Sequence, residues 1–209
     1  MAEPLGRPDV IPYIAAWSTE HFVHPDVVLR PGVGIAYRDE NPYDRDPEGV
    51  LWARMTLGRG RGRPEFGRIH SGRQRRAMRR LLCQICGGPA DRDRNGVLWL
   101  LKDDRDDWPD WPEGLAATHP PVSRPCARVA VRLCPHLRGG ATLVRVKDHR
   151  ECGVYGTLYR PGPPRPRPVL DVVVASHERR ARLVLAAQML RVLRDRTLVD
   201  LDDTLESAS

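Results

Sequence analysis

The stretch CQICGG at residues 83–88 decides the fold that this sequence predicts. Two cysteines that are separated by two residues and followed by glycine form a tight turn, which aims both sulfur atoms at one point. Backbone N–H groups of such a turn stabilise the thiolate charge. A redox role would need a strand before the turn and a helix after it, whereas we expect a helix before it and a Gly-Gly-Pro turn after it. The pattern therefore favours Cys83 and Cys86 as metal ligands.

A structural zinc ion takes four ligands, so two more are needed downstream. The candidates are Cys126, His119, Cys134 and His136. If residues 125–134 form one helix, Cys126 and Cys134 lie about 12 Å apart along its axis and cannot share a metal. We favour Cys126, because a helix N-terminus stabilises a thiolate. His119 is the nearest candidate for the fourth ligand, with Cys134 and His136 as alternatives.

The order of these elements resembles a treble-clef zinc finger over about residues 81–135: a knuckle, a strand, a long loop, then a helix with ligands in its first turn. The usual last pair in that fold is Cys-x-x-Cys, whereas this chain has Ser123-x-x-Cys126. The segments CQICGGPA and WPEG are also similar to an actinobacterial family of zinc-finger-like proteins with no assigned activity. These resemblances imply a structural zinc site in a bacterial protein.

Nucleases of the HNH type share the treble-clef scaffold and are the sharpest enzymatic alternative. Their catalysis needs a general-base histidine on the strand after the knuckle. The expected strand VLWLLK at 97–102 contains no histidine, and the following helix has none before His136. Without that base there is no group to activate water. A degenerate HNH-type nuclease is therefore a less favoured interpretation than a binding protein.

Charge and cysteine usage limit the classes of function. The chain has 209 residues, a formal net charge of +7 and five cysteines. It has no apolar run of roughly 20 residues that would span a membrane, and its first residues do not form a secretory signal. We therefore expect a cytoplasmic protein with no membrane partner, in which cysteines bind metal more readily than they form disulfides.

The excess positive charge is concentrated at residues 58–82, where nine arginines face one glutamate. Arginines on a loop and helix beside a zinc knuckle suit contacts with the phosphates of DNA or RNA. A protein–protein or scaffold role is the alternative, since the acidic stretch at 91–113 would neutralise these arginines if it folded back on them. The oligomeric state is left open. The candidate nucleic-acid ligands are Arg59, Arg61, Arg63, Arg73, Arg75, Arg76, Arg79 and Arg80.

The many prolines and glycines predict a loop-rich α+β fold with short, mostly antiparallel strands around an embedded treble-clef-like zinc module. We expect one compact domain with three regions. These are an N-terminal β/loop region at 1–70, the zinc module at 71–138, and a β-hairpin, strand and C-terminal helix at 139–209. The hairpin pairs 141–147 with 153–159, the basic stretch 58–67 is a flexible loop, and the longest helix is 177–196 because its leucines form one stripe.

Overall fold

A computed structural model describes residues 10–23, 26–107 and 110–200 of the chain. Its two α-helices are α1 (Ser71–Arg80) and α2 (Arg124–Leu133), and short 3-10 turns lie at Pro135–Leu137 and Arg179–Leu183. Its strands are β1 (Ala15–Trp17), β2 (Val27–Arg30), β3 (Gly34–Tyr37), β4 (Leu51–Trp52), β5 (Pro64–Ile69), β6 (Arg92–Asp93), β7 (Gly96–Lys102), β8 (Leu115–Ala117), β9 (Ala141–Asp148), β10 (Glu151–Arg160), β11 (Arg167–Ala175) and β12 (Val184–Val199). Most pairings are antiparallel, so the expected α+β class is confirmed in its coarse form.

The long strand β12 is the centre of the largest sheet. Along one edge it pairs with β10 and then with β9 in the same antiparallel direction, from Leu158 opposite Val184 to Leu143 opposite Val199. Along its other edge it pairs with β4 in parallel and with β8 antiparallel. β11 pairs with β10, and β7 pairs with β9. β12 therefore joins elements that lie far apart in the sequence.

A side chain of α1 completes part of this strand's hydrogen bonding. The Gln74 side-chain amide donates to the Met189 carbonyl oxygen over 2.9 Å, and its oxygen accepts from the Met189 N–H over 3.0 Å. The same amide donates to the Thr118 carbonyl oxygen over 2.7 Å. Gln74 is fully buried. The side-chain amide of Gln74 thus makes the two hydrogen bonds with Met189 that the backbone of a neighbouring strand would make. Because buried backbone groups must be paired, these bonds hold α1 against the sheet.

The predicted C-terminal helix at 177–196 is wrong. Those residues form the 3-10 turn Arg179–Leu183 and most of β12. A nearly continuous apolar run fits a strand that is covered on both faces as well as it fits a helix with a wide apolar stripe. Tertiary pairing decides between them here. At Gly156 the partner strand comes so close that an added Cβ would collide with the Leu185 carbonyl oxygen.

Two further expectations are corrected by the strand pairings. The segments 141–147 and 153–159 fall in β9 and β10, which do not pair as a hairpin but follow one another along β12. Pairing with a long third strand replaces the mutual pairing that the short turn between them suggested. The basic stretch 58–67 is not wholly a loop, because Pro64 begins β5, which pairs with β1.

Strand β7 carries the region of the expected zinc module and is buried on both faces. On one face Leu98 and Leu100 pack with Cys83, Ile85 and Val122. On the other face, Trp99 packs in a cluster with Val144 of β9 and with Leu193 from the middle of β12. Because side chains alternate along a strand, β7 connects the cysteine-bearing loop to the main core.

Within the described residues, no helix has the length and apolar character needed to cross a membrane.

Candidate metal centre

The loop that carries Cys83 and Cys86 is a closed turn at the end of α1. The Cys83 N–H donates to the Gly88 carbonyl oxygen over 2.7 Å, and the Gly87 N–H donates to the Cys83 carbonyl oxygen over 2.9 Å. Gly87 has φ +75°, which is unfavourable for other residues. The Ile85 N–H points at the Cys83 sulfur over 3.4 Å. The sequence around Cys83 thus builds the knuckle that its spacing predicts.

Helix α2 brings the third thiol to this loop. Cys126 lies in the first turn of α2, after Ser123 and Pro125. The sulfurs of Cys83, Cys86 and Cys126 all lie within 4.8 Å of one another, and these three thiols could hold a metal ion. Cys83 is buried, Cys126 is half-buried and Cys86 is exposed, so one side of the cluster faces solvent.

The electrostatics of the three thiols differ according to their surroundings. Burial acts to raise the pKa of Cys83, but hydrogen bonds from the N–H groups of Cys86, Ser123 and Ile85 lower the pKa below its usual range. Burial raises the pKa of Cys126 to about 11, and the neighbouring Cys83 sulfur adds to the shift. One thiolate is therefore stabilised while a second thiol beside it is hard to ionise. Thiolates so close together would repel one another. A divalent cation would offset this repulsion and allow all three cysteines to bind it as thiolates.

The other predicted ligands lie outside this cluster. His119 is exposed, and its carbonyl oxygen accepts from the Trp99 indole N–H over 3.1 Å. Cys134 is half-buried where α2 ends, and the exposed His136 follows in the 3-10 turn. None of the three belongs to the group whose sulfur atoms lie together. The group nearest to completing the cluster is instead Ser123, whose hydroxyl oxygen lies 3.6 Å from the Cys83 sulfur.

The eight arginines named above as candidate nucleic-acid ligands divide into two sets. The inward arginines, which are Arg73, Arg75 and Arg79, contact other parts of the chain. Arg73 forms a buried ion pair with Glu20, with nitrogen–oxygen distances of 2.6 and 2.7 Å. Arg75 lies over the Trp52 ring at 4.8 Å from its centroid. The side chain of Arg79 faces Asp46 and Glu48. These three are engaged within the fold, which the arginine count alone did not predict.

The second set, the outward arginines, is exposed to solvent, and two of its members contact Tyr13 beside the knuckle. They are Arg59, Arg61, Arg63, Arg76 and Arg80. The Arg59 guanidinium lies 5.2 Å from the Tyr13 ring centroid, and Arg76 donates to the Tyr13 hydroxyl over 2.9 Å. The Tyr13 ring in turn packs on Gly87, where an added Cβ would lie 2.8 Å from the ring. Tyr13 thus places two exposed cations close to the loop that carries Cys83 and Cys86.

The acidic stretch 91–113 pairs elsewhere than with these arginines. Asp91 and Asp93 pair with Arg145, and Glu113 faces Arg196. Sequence reasoning missed the roles of Tyr13 and Glu20, because Tyr13 lies 63 residues from Arg76 and Glu20 lies 53 residues from Arg73. Only the alternation of buried and exposed positions along α1 carried any signal that some arginines would point inward.

The chain was compared with known proteins at three levels. No family model matches it, and neither a curated protein nor a solved structure matches it. The actinobacterial and treble-clef resemblances therefore stay predictions from the motifs. The function is argued from the thiol cluster and from the cationic surface beside it.

Proposed function

We propose that this chain is a cytoplasmic binding protein folded around a structural zinc ion, and that it contacts nucleic acid through the outward arginines beside the metal-binding loop. Cys83, Cys86 and Cys126 hold the zinc in a treble-clef-like module. The metal fixes the fold and performs no reaction. The observation that carries the proposal is the convergence of three thiols on one point from a tight loop and a helix first turn.

Zinc is the metal that fits this donor set best. Three thiolates form a soft site, and in a compartment that keeps thiols reduced, zinc is the common redox-inactive partner for them. The three thiols come from two separate elements, the loop and α2, which also meet through the packing of Ala127 with Cys83 and Ile85. A metal would therefore contribute directly to the stability of this region.

The nucleic-acid part of the proposal rests on the arrangement of charge. Arg59 and Arg76 are exposed, and both guanidinium groups lie near the ring of Tyr13, which packs on Gly87. Pre-positioned guanidinium groups bind phosphate oxygens in a forked geometry with little further ordering. Arg61 and Arg63 extend the same exposed loop. The surface therefore favours phosphate contacts over base-specific recognition.

The metal is tested on protein purified without chelator or immobilised metal, by elemental mass spectrometry. We expect about one zinc per chain. Cys83→Ala should lose the zinc and unfold at a lower urea concentration than the wild-type chain. Cys134→Ala should keep the zinc and the wild-type urea midpoint. Cys134→Ala is the matched control because Cys134 is a half-buried thiol outside the cluster. A metal-free wild-type chain, or equal zinc loss in the two variants, would contradict the site.

The surface is tested by the salt dependence of binding to a mixed-sequence DNA duplex and a single-stranded RNA. Each lost phosphate contact lowers the slope of log affinity against log salt by about 0.9 on duplex DNA. The double variant Arg59→Gln/Arg76→Gln should therefore flatten the slope by about 2. The control is Arg160→Gln/Arg167→Gln, which removes the same charge from two exposed residues on β10 and β11.

If both double variants weaken binding equally, net charge alone explains the affinity and the surface is wrongly placed. If the wild-type chain binds neither nucleic acid at low salt, the nucleic-acid function is rejected. A protein partner is then the alternative to pursue with the same pair of variants.

A further inference from the structure

The hydroxyl of Ser123 lies against the thiol cluster. Its oxygen is 3.6 Å from the Cys83 sulfur and 3.9 Å from the Cys86 sulfur. It is also a hydrogen-bond partner of the Cys126 thiol. One hydroxyl therefore touches all three sulfur atoms, from the helix that also supplies Cys126.

The side chain of Ser123 does not cap α2, although the residue is at the N-cap position. It is the N-cap residue of α2, with extended backbone angles of φ −84° and ψ 151°. A serine there normally accepts a hydrogen bond from an N–H of the first turn, which stabilises a helix by about 1 kcal/mol. In this chain the side chain makes no such bond. The hydroxyl has been turned from the helix toward the sulfurs.

The distances fit a shared metal ion. With zinc–sulfur bonds of about 2.3 Å and zinc–oxygen bonds of about 2.0–2.2 Å, tetrahedral geometry puts sulfur and oxygen about 3.5 Å apart. The two measured distances, 3.6 and 3.9 Å, lie close to that separation. His119, Cys134 and His136 do not join the cluster, so none of the predicted ligands competes with Ser123 for the fourth position.

We propose that Ser123 Oγ is the fourth ligand of a three-cysteine zinc centre, and that this position exchanges with an external thiolate. The inference rests on the proposed zinc site. A neutral hydroxyl is a weaker zinc donor than a thiolate, and the exposed Cys86 leaves one side of the centre open to solvent. An incoming thiol gives its proton to the solvent and binds as thiolate, while the serine hydroxyl leaves as a neutral group.

The test replaces zinc with cobalt(II), whose visible absorption reports how many thiolates surround the metal. The wild-type chain should give the spectrum of three thiolates and an oxygen donor. Ser123→Cys should give the four-thiolate spectrum and bind zinc more tightly. Ser123→Ala should lower zinc affinity by about 10–100-fold, the range typical for losing a group that orders a metal shell. Ser123→Thr retains a hydroxyl and should restore most of that loss.

Exchange is tested by titrating a small monothiol into the cobalt form. The wild-type spectrum should move toward that of Ser123→Cys, while the spectrum of Ser123→Cys itself should stay constant. Ser123→Asn separates ligation from capping, since asparagine caps a helix as well as serine does. If Ser123→Asn and Ser123→Ala both keep the wild-type affinity and spectrum, the ligand role is overturned although the zinc site stands. A spectrum that ignores added thiol overturns the exchange. A wild-type chain that takes up no metal overturns this inference and the zinc site together.

Discussion

On the inner face of α1, the Arg73 guanidinium binds both carboxylate oxygens of Glu20 and the Ala15 carbonyl oxygen. At the C-terminal end of the same ten-residue helix, Arg80 is exposed to solvent. The two residues have the same chemistry and lie two turns apart. Arg73 holds the N-terminal segment against the helix, whereas the side chain of Arg80 is open to solvent. Arginine content therefore predicts a binding surface only after the inward residues have been removed from the count.

The largest effect is expected where the inner pair is broken. Arg73→Met leaves the fully buried Glu20 carboxylate without its partner, which costs about 3–5 kcal/mol of the free energy of unfolding. Arg80→Met is the matched control on the same helix and should change that free energy by less than about 0.5 kcal/mol. Urea unfolding followed by tryptophan fluorescence measures both. If the two substitutions lower the free energy of unfolding equally, the buried Arg73 and the exposed Arg80 do not differ in their contribution to stability.

Acid should weaken the inner pair next. Burial acts to raise the pKa of Glu20, but hydrogen bonds from Arg73 and from the N–H groups of Gly58 and Trp17 lower it from 4.5 to about 2. Because the folded pKa is depressed, the contribution of Glu20 to stability is complete above pH 4.5 and is lost as the pH falls toward 2.

The check is the difference in unfolding free energy between the wild-type chain and Glu20→Gln at several pH values. Both proteins keep His70, whose pKa is lowered by burial and whose ring lies 3.8 Å from Glu20. The difference should shrink steadily between pH 4.5 and 2. A constant difference across this interval would mean that the charge on Glu20 contributes nothing.

Arg75 is an intermediate case, because it is half-buried and lies over Trp52 without a carboxylate hydrogen bond of its own. A cation over an aromatic ring contributes about 0.5–2 kcal/mol, more when it is shielded from water. Arg75→Ala should therefore destabilise the chain by about 1 kcal/mol, and Arg75→Lys by less. Thermal unfolding distinguishes these values. If Arg75→Ala destabilises the chain as much as Arg73→Met does, Arg75 contributes as much to stability as the buried Arg73–Glu20 pair.

The smallest effect belongs to the exposed loop. Arg61→Ala removes an exposed side chain from the loop before β5 and should leave the free energy of unfolding within about 0.5 kcal/mol of the wild-type value. Its nucleic-acid affinity should fall at low salt by the contribution of one phosphate contact. Unfolding and binding measured on one preparation sharpen the contrast. A marked loss of stability would show that the loop arginines are also part of the fold.

Sequence reasoning predicted the parts of the site that short-range spacing determines. The sulfurs of Cys83 and Cys86 lie close together because the four-residue turn allows few other arrangements of them. Cys126 joins them because a side chain in the first turn of a helix can reach such a loop. Ser123 was recognised as the place of a missing cysteine. The direction of its hydroxyl was not predictable, since a serine at a helix start ordinarily caps the helix.

Long-range pairing limited what could be predicted of the fold. Leu183, Ala187, Leu190 and Leu193 lie on one face of an ideal helix, yet they end up in or beside a strand because β4, β8, β9 and β10 all need β12 as a partner. No local pattern contains that demand. The inward direction of Arg73 likewise depends on Glu20, which lies 53 residues earlier in the chain.

The position of β12 has a consequence for synthesis on the ribosome. All three cysteines of the thiol cluster have been made once α2 is complete, well before β12. Leu51 and Trp52 of β4 are buried in the finished protein, but their partner Val184–Val199 is made later. At about 5–20 residues per second, the roughly 130 residues between them take about 7–26 seconds to be added. In the later part of that interval, once Cys126 has been made, the three thiols can meet while the sheet is still incomplete and Gln74 has no strand to bind.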